Sequence, residues 1–433
     1  MPEFPPDRTT EAYARALDAA DPLARFRDRF YIPDGVRYLD GNSLGLLSRD
    51  AESAVHQAME AWKTQGVSAW TAADPPWFTL AESLGARMAA LVGATPESVI
   101  VTGGTTINLH QMIATFYRPE GTRRKIVATS LDFPSDVYAL QGQLLLHDGD
   151  PETDLVLVPS RDGRTIATED VLAAIGDDVA LVLMPSVLYR SGQLLDIPAI
   201  ARATHDHGAL IGLDCAHSVG AIPHEFDAWG IDFAIWCTYK YLNAGPGAVG
   251  ALYVNPKHFG TRPLLSGWWG YQKDRQFEMA HAWEGASGAG AFQISTVPLL
   301  STAALAGSLA ITEEAGIDAI RTKSLAQTDY LIDLVEASGL CGNPYDYRIG
   351  TPRPHAERGG HVAIEHDDAA RISAALRQRG VIVDFRPPHV VRIPPIALYT
   401  TYRDLWGTVR ALREIIETGD HLDLDAGFAE LVT

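Results

Sequence analysis

Between residues 98 and 254 the chain repeats one pattern: a short run of continuously apolar residues, a turn, then a stretch with helical periodicity. The apolar runs fall at 98–102, 125–129, 180–184, 209–214, 233–238 and 248–254. A strand with one wet face alternates apolar and polar residues, whereas a strand that is apolar throughout is covered on both faces, as in a parallel sheet. Helical stretches, including 106–116 and 197–206, separate most of the runs. The alternation predicts an α/β fold with a mainly parallel sheet.

The flanks differ from this centre. Residues 9–26 read as an amphipathic helix, 37–47 as a turn-rich segment, 51–63 as a second helix and 65–76 as a loop containing Pro75 and Pro76. After about residue 301 a long helical stretch, 302–337, leads into a strand at 361–365, a helix at 368–379, strands at 381–384 and 390–392, and a helix at 402–417. This predicts a smaller α+β unit. The expected division is 1–45 as an N-terminal segment packing on the small domain, 46–305 as the large domain and 306–433 as the small C-terminal domain.

Composition narrows the range of partners. The chain has 433 residues, 46% hydrophobic and 21% charged, as a well-packed globular protein requires. Its formal net charge of -19 argues against nucleic acid and anionic membrane, which attract positive surfaces. Cys215, Cys237 and Cys341 match no zinc spacing and no disulfide framework, so buried free thiols are expected. The first fifteen residues have no apolar core of a signal peptide, and no apolar run reaches the roughly 20 residues of a membrane span. A soluble, cytoplasmic protein is expected.

The most informative chemistry lies between 210 and 250. Ile211-Gly212-Leu213-Asp214 places an acid at the end of one buried strand, and Trp236-Cys237-Thr238-Tyr239-Lys240 places a lysine at the end of the next. Ligands of open α/β sheets gather at that edge. A lysine that can hold an aldehyde as a Schiff base, next to a carboxylate that keeps a pyridine nitrogen protonated, is what pyridoxal 5'-phosphate chemistry needs. Alone, Asp214 reads equally as a helix cap and Lys240 as a surface lysine; the pairing carries the reading. Upstream, Thr102-Gly103-Gly104-Thr105-Thr106 runs from a strand into a helix. It suits either a phosphate at the helix N-terminus or an ordinary turn with a threonine cap, and it is neither a dinucleotide fingerprint nor a P-loop.

Asp214-x-x-His217 with Tyr239-Lys240-Tyr241-Leu242-Asn243-Ala244-Gly245 resembles the fold-type-I pyridoxal-phosphate enzymes and, within them, the kynureninase family. Segments that carry the same resemblance, in order, are Tyr38 to Gly45, Thr106 to His110, Phe133-Pro134-Ser135-Asp136, Gly267-Trp268-Trp269-Gly270, Arg358-Gly359-Gly360-His361, and Arg392 through Leu398-Tyr399. The resemblance implies a large domain with a seven-stranded, mainly parallel sheet and a smaller α+β C-terminal domain. It implies Lys240 as the Schiff-base lysine, Asp214 at the pyridine nitrogen, His217 beside the cofactor and Phe133 stacked on its ring. Thr105, Thr106, Ser135 and Tyr239 would hold the phosphate and ring hydroxyl, with Tyr239 also an acid/base. Trp268 and Thr296 would reach the phosphate of a neighbouring subunit, which implies a homodimer with shared sites. Arg392 would clamp the substrate carboxylate, with Asn42, Ser43 and Trp70 around the substrate. The implied reaction is hydrolysis of kynurenine or 3-hydroxykynurenine to anthranilate and alanine. The alternative is β-elimination from another modified amino acid, by the same lysine and aspartate in a differently shaped pocket. No metal site is implied.

Overall fold

The computed structural model describes residues 4–424. The first strand, β1 (Arg37–Tyr38), precedes the alternating region, which supplies β2 (Val99–Val101), β3 (Lys125–Thr129), β4 (Leu155–Val158), β5 (Val179–Pro185), β6 (Leu210–Asp214), β7 (Phe233–Cys237) and β8 (Gly250–Val254). Strands β2 to β8 form one seven-stranded sheet in the order β2-β8-β7-β6-β5-β3-β4. Neighbours from β4 across to β7 are parallel, while β8 is antiparallel to β2 and β7. The link from β7 to β8 holds a lysine-bearing turn and no helix, and a parallel return needs a helical crossover. The fully apolar runs are indeed covered on both faces: every residue of β5, β7 and β8 is buried.

Two helical expectations changed. The helix expected at 9–26 is Glu11–Ala19, followed by a separate turn of 3-10 helix at Ala24–Arg29, because Pro22 cannot continue it. The stretch 302–337 is two helices, Leu299–Ala315 and Ile317–Ala337, divided at Gly316, whose φ of 78° a helix does not allow. Helices Pro134–Leu146 and Thr168–Ala174, and strand β4 at the sheet edge, were not recognised in the sequence. Leu157 of β4 is 38% exposed, so its apolar run is not covered on both faces.

The C-terminal part contributes β9 (Arg348–Ile349), β10 (Val362–Glu365), β11 (Val381–Ile382), β12 (Asp384–Arg386) and β13 (Val390–Ile393). An antiparallel sheet runs β12-β13-β10-β9. The single strand expected at 381–384 is divided, and β11 pairs instead with β1. A second core joins Ala14 and Leu39 from the N-terminal segment to Leu331, Val335, Val391 and Leu412. The last helix, Tyr402–Thr418, starts with a capping box between Thr401 and Asp404. A bridge from Gln193 to Arg358, with Gly359 N donating to Gly192 O at 2.7 Å and Leu194 N to Glu357 O at 2.8 Å, joins the loop after β5 to the segment before β10. Of the cysteines, Cys215 and Cys237 are buried but Cys341 is exposed, which corrects the expectation of three buried thiols. It lies just past helix Ile317–Ala337, in a turn outside the core. Among the described residues no helix is long and apolar enough to cross a membrane.

The sheet is tight where it carries Asp214. A methyl group on Gly212 would lie 2.2 Å from the Phe233 ring, which is itself stacked on Phe116 at 5.3 Å. Gly212→Ala should therefore cost about 1–3 kcal/mol through overpacking, seen as a lower urea midpoint at unchanged slope.

Candidate active site

The C-terminal ends of β5, β6 and β7 open onto a cleft of about 750 Å³ including its mouth, within the usual range for a small-molecule site. Asp214 ends β6, and its Oδ1 accepts from Ala216 N at 2.8 Å. The parallel partner β7 ends at Cys237 and turns into Lys240. That turn is fixed by Ala244 N donating to Thr238 O at 3.0 Å, by Thr238 Oγ1 donating to Val249 O at 2.6 Å, and by Gly45 N donating to Tyr239 O at 2.7 Å. Gly45 sits so close that a Cβ there would meet Lys240 O at 2.5 Å. The lysine side chain points into the cleft, with Nζ 3.0 Å from His217 Nε2.

Opposite the lysine, Thr105 and Thr106 open the helix Thr105–Phe116 and line the cleft. Gly104 at the cap has no side chain to satisfy the first N–H groups, so they are free for an anion. Phe133 is 39% exposed on the cleft wall, edge-on to Tyr189 at 5.3 Å, and Ser135 follows it at the start of the next helix.

Burial sets the charge states. Desolvation, then the cations Lys240 and Arg392, push His217 well below its ordinary range, so its imidazole is neutral. Desolvation and the neighbouring charge of Asp214 hold Asp136 well above the carboxylate range, making it a proton donor to Asp214. Behind them desolvation raises Asp132 to about 7. Tyr239 is pushed up by burial and by the Cys237 thiol, so the phenol keeps its proton.

A second group of charges closes the far side. Arg392, on β13, is 1% exposed and donates from Nε to Asp384 Oδ2 at 2.6 Å, with a further short bond from Nη2 to the same oxygen. Its Nη1 donates to Tyr189 O at 2.8 Å and its Nη2 to Ser43 Oγ at 3.0 Å. Asn42 and Arg386 line the same wall. Asp40 lies nearby, 4% exposed.

These residues fit pyridoxal 5'-phosphate. They offer an amine, a carboxylate at an adjacent strand end, hydroxyls at a helix N-terminus and an exposed aromatic face. His217 Nδ1 and both polar atoms of the Asn42 amide are buried without a partner among the described residues, as groups of a ligand site are.

The structure brings Lys240, Asp214, Tyr239, His217, Thr105, Thr106, Phe133, Ser135, Asn42 and Arg392 to one cleft, with Ser43 behind Arg392. It does not bring Trp70, Trp268 or Thr296 there. Trp70 packs on Trp77 and Trp269, Trp268 donates from Nε1 to Gln276 O at 3.1 Å, and Thr296 is exposed. Sequence reasoning assigned no role to Asp136, Tyr189 or Arg386. Asp136 was within a recognised segment but reads as a first-turn helix acid; Tyr189 and Arg386 sit in short irregular segments without periodicity.

The seven-stranded sheet, its strand-end lysine and aspartate, and the smaller α+β unit together define a fold-type-I pyridoxal-phosphate enzyme. The apo cysteine desulfurase of Thermococcus onnurineus superposes with a TM-score of 0.76 at 16% identity, covering 91% of this chain and 98% of that one. A C-DES structure with glycine covalently linked to its PLP cofactor gives 0.75 at 18%, covering 89% and 98%. Residues 320–412 match the model of the kynureninase C-terminal domain. Kynureninase of Geobacillus thermodenitrificans is 52% identical over 94% of this chain and 95% of its own length. That of Shouchella clausii is also 52% identical, over the same shares. The chain belongs to the kynureninase family.

Desolvation, then the charge of Asp384, raises Asp40 from an ordinary 3.8 to about 6. The folded protein thus holds a proton that the unfolded chain releases, so stability falls as pH rises through this window. The loss is absent below about pH 4 and reaches about 2–3 kcal/mol above pH 6. Asp40→Asn should match the parent protein in urea unfolding at pH 4 and exceed it at pH 7.5.

Proposed function

We propose that the protein hydrolyses L-kynurenine, or its 3-hydroxy derivative, to the corresponding anthranilate and L-alanine. The observation that carries this is the pairing of Lys240 and Asp214 on one cleft in a chain half identical to kynureninases over nearly its full length. Water adds its oxygen to the γ-carbon, the Cβ–Cγ bond breaks, and Cβ takes up a proton.

When bound, pyridoxal 5'-phosphate supplies an aldehyde that takes up an amine reversibly and a protonated ring that accepts electrons from the substrate. Lys240 would hold it covalently, and Asp214, backed by the protonated Asp136, would keep a proton on the ring nitrogen. Thr105, Thr106 and Ser135 would take the phosphate, Phe133 would cover the ring and the neutral His217 would lie beside it. Lys240, with its amine free, would take the α-proton of the substrate. Tyr239, kept protonated by burial, would be the donor beside the phosphate. Arg392 binds the carboxylate, with Asn42 and Ser43 completing that end.

Elimination of a sulfur group, or desulfuration, fits less well. A desulfurase needs a nucleophilic thiol, and no cysteine lines the cleft. Cys215 lies behind it, with its thiol pushed up to about 12 by burial.

The same reading makes the enzyme a cytoplasmic homodimer of tryptophan catabolism, with the units 1–45, 46–305 and 306–433. Support for the dimer is an apolar band beside the Thr105 end of the cleft. Ile107 is 59% exposed and Phe277 71%, with Leu264 and Trp268 also exposed. Gln111 Nε2 donates to Leu265 O at 3.0 Å, tying the two parts of the band together. Trp268 and Thr296 would then serve the partner's cleft, and Trp70 the substrate ring.

Lys240→Ala should abolish anthranilate formation, followed by its fluorescence, and remove the visible absorbance of the bound cofactor. Normal turnover in that variant would refute the assignment. Trp268→Ala should be impaired alone, yet recover roughly a quarter of parental activity when mixed with Lys240→Ala, because half the dimers then carry one complete site.

A further inference from the structure

Arg392 cannot grip a carboxylate with two hydrogen bonds as it stands. A guanidinium has five N–H groups, and four of them are engaged here. Nε and one Nη2 hydrogen go to Asp384, the other Nη2 hydrogen goes to Ser43 Oγ and one Nη1 hydrogen goes to Tyr189 O. One N–H remains. A second donor must come from another group on the same wall.

Sheet register provides it. Asp384 of β12 stands directly opposite Arg392 of β13. Side chains two apart on a strand share a face, so Arg386 projects on the same side as Asp384. Arg386 spends Nε on Asp384 Oδ2 at 2.9 Å, and its Nη1 and Nη2 have no partner among the described residues. Its side chain is 18% exposed and lines the cleft together with Arg392, Asn42 and Tyr189.

We propose that Arg386 is a second substrate-binding arginine, which shares the amino-acid carboxylate with Arg392. Asp384 then has a defined task as the common counter-ion, holding both guanidinium planes on one side of the carboxylate site. Two guanidinium groups share the single carboxylate of Asp384, which leaves donors for an anion set between them. The inference rests on the function proposed above, since it assumes an amino-acid substrate seated at Arg392.

The test uses the holoenzyme with L-kynurenine as substrate and its decarboxylated amine as a competitive inhibitor. Arg386→Gln should raise KM roughly tenfold to a hundredfold while kcat stays within about threefold, the loss expected for one charge-assisted hydrogen bond used in binding. Inhibition by the amine, which has no carboxylate to lose, should be unchanged. Arg386→Lys retains a cation for Asp384 but not the fork, so its KM should rise by a smaller factor, and it carries the test if the glutamine variant does not fold. An unchanged KM in either variant would overturn the proposal. So would equal weakening of kynurenine and the amine, which would mark Arg386 as merely structural. Failure of the unsubstituted enzyme to turn over kynurenine would count against the proposed function, a result distinct from both.

Discussion

Parallel strands deliver their C-terminal ends to one edge of a sheet, and this site depends on two neighbouring ends arriving there together. Asp214 closes β6 and Lys240 follows β7, with the two strands in register from Gly212 and Phe233 onward. Were β7 reversed, the amine would emerge at the opposite edge, a strand length away from the carboxylate. The antiparallel β8 lets the lysine turn be tight, since the chain can double back along β7 without leaving the sheet. The same edge receives the helix starting at Thr105 and the one starting at Pro134, so amine, acid, hydroxyls and ring all meet without a long loop.

What burial does to charge completes the site. The chain is strongly acidic overall, yet the cleft concentrates Lys240, Arg386 and Arg392 in a small volume. Desolvation, reinforced by their field, keeps His217 neutral, while desolvation, reinforced by the charge of Asp214, raises Asp132 and Asp136. Neutral and charged members of one residue type thus stand side by side, divided by desolvation and neighbours. Removing one partner of a buried pair such as Asp384 and Arg392 leaves the other uncompensated, so these contacts are interdependent.

Much of this was legible in the sequence because the strands are buried on both faces and therefore uniformly apolar, and because the strand-end residues follow directly from that pattern. Edge strand β4 was not, since Leu157 is partly solvated and its run is short. Gly316 divides a helical stretch whose periodicity continues on both sides of it. Arg386 was illegible for another reason: its meaning comes from a cross-strand neighbour and from β12 and β11 belonging to different sheets. Tyr189 likewise gains its place from pairing between the loop near Gln193 and a segment around Arg358, a contact no local pattern encodes. The resemblance pointed to residues that line the cleft, such as Lys240, Asp214 and Thr105, but the acid pair behind Asp214 emerged only from burial.

The hydrogen bond from Gly45 to Tyr239 ties the lysine turn to the N-terminal segment, and β1, just before Gly45, is held by β11 of the C-terminal part. The turn is therefore finished by two long-range closures, and such closures are slow compared with local helix formation. A large sheet assembled on its own would still hold the lysine on an unfinished turn. The moment at which a refolding sample becomes yellow thus dates the docking of β11 against β1, not the formation of the sheet that bears the amine.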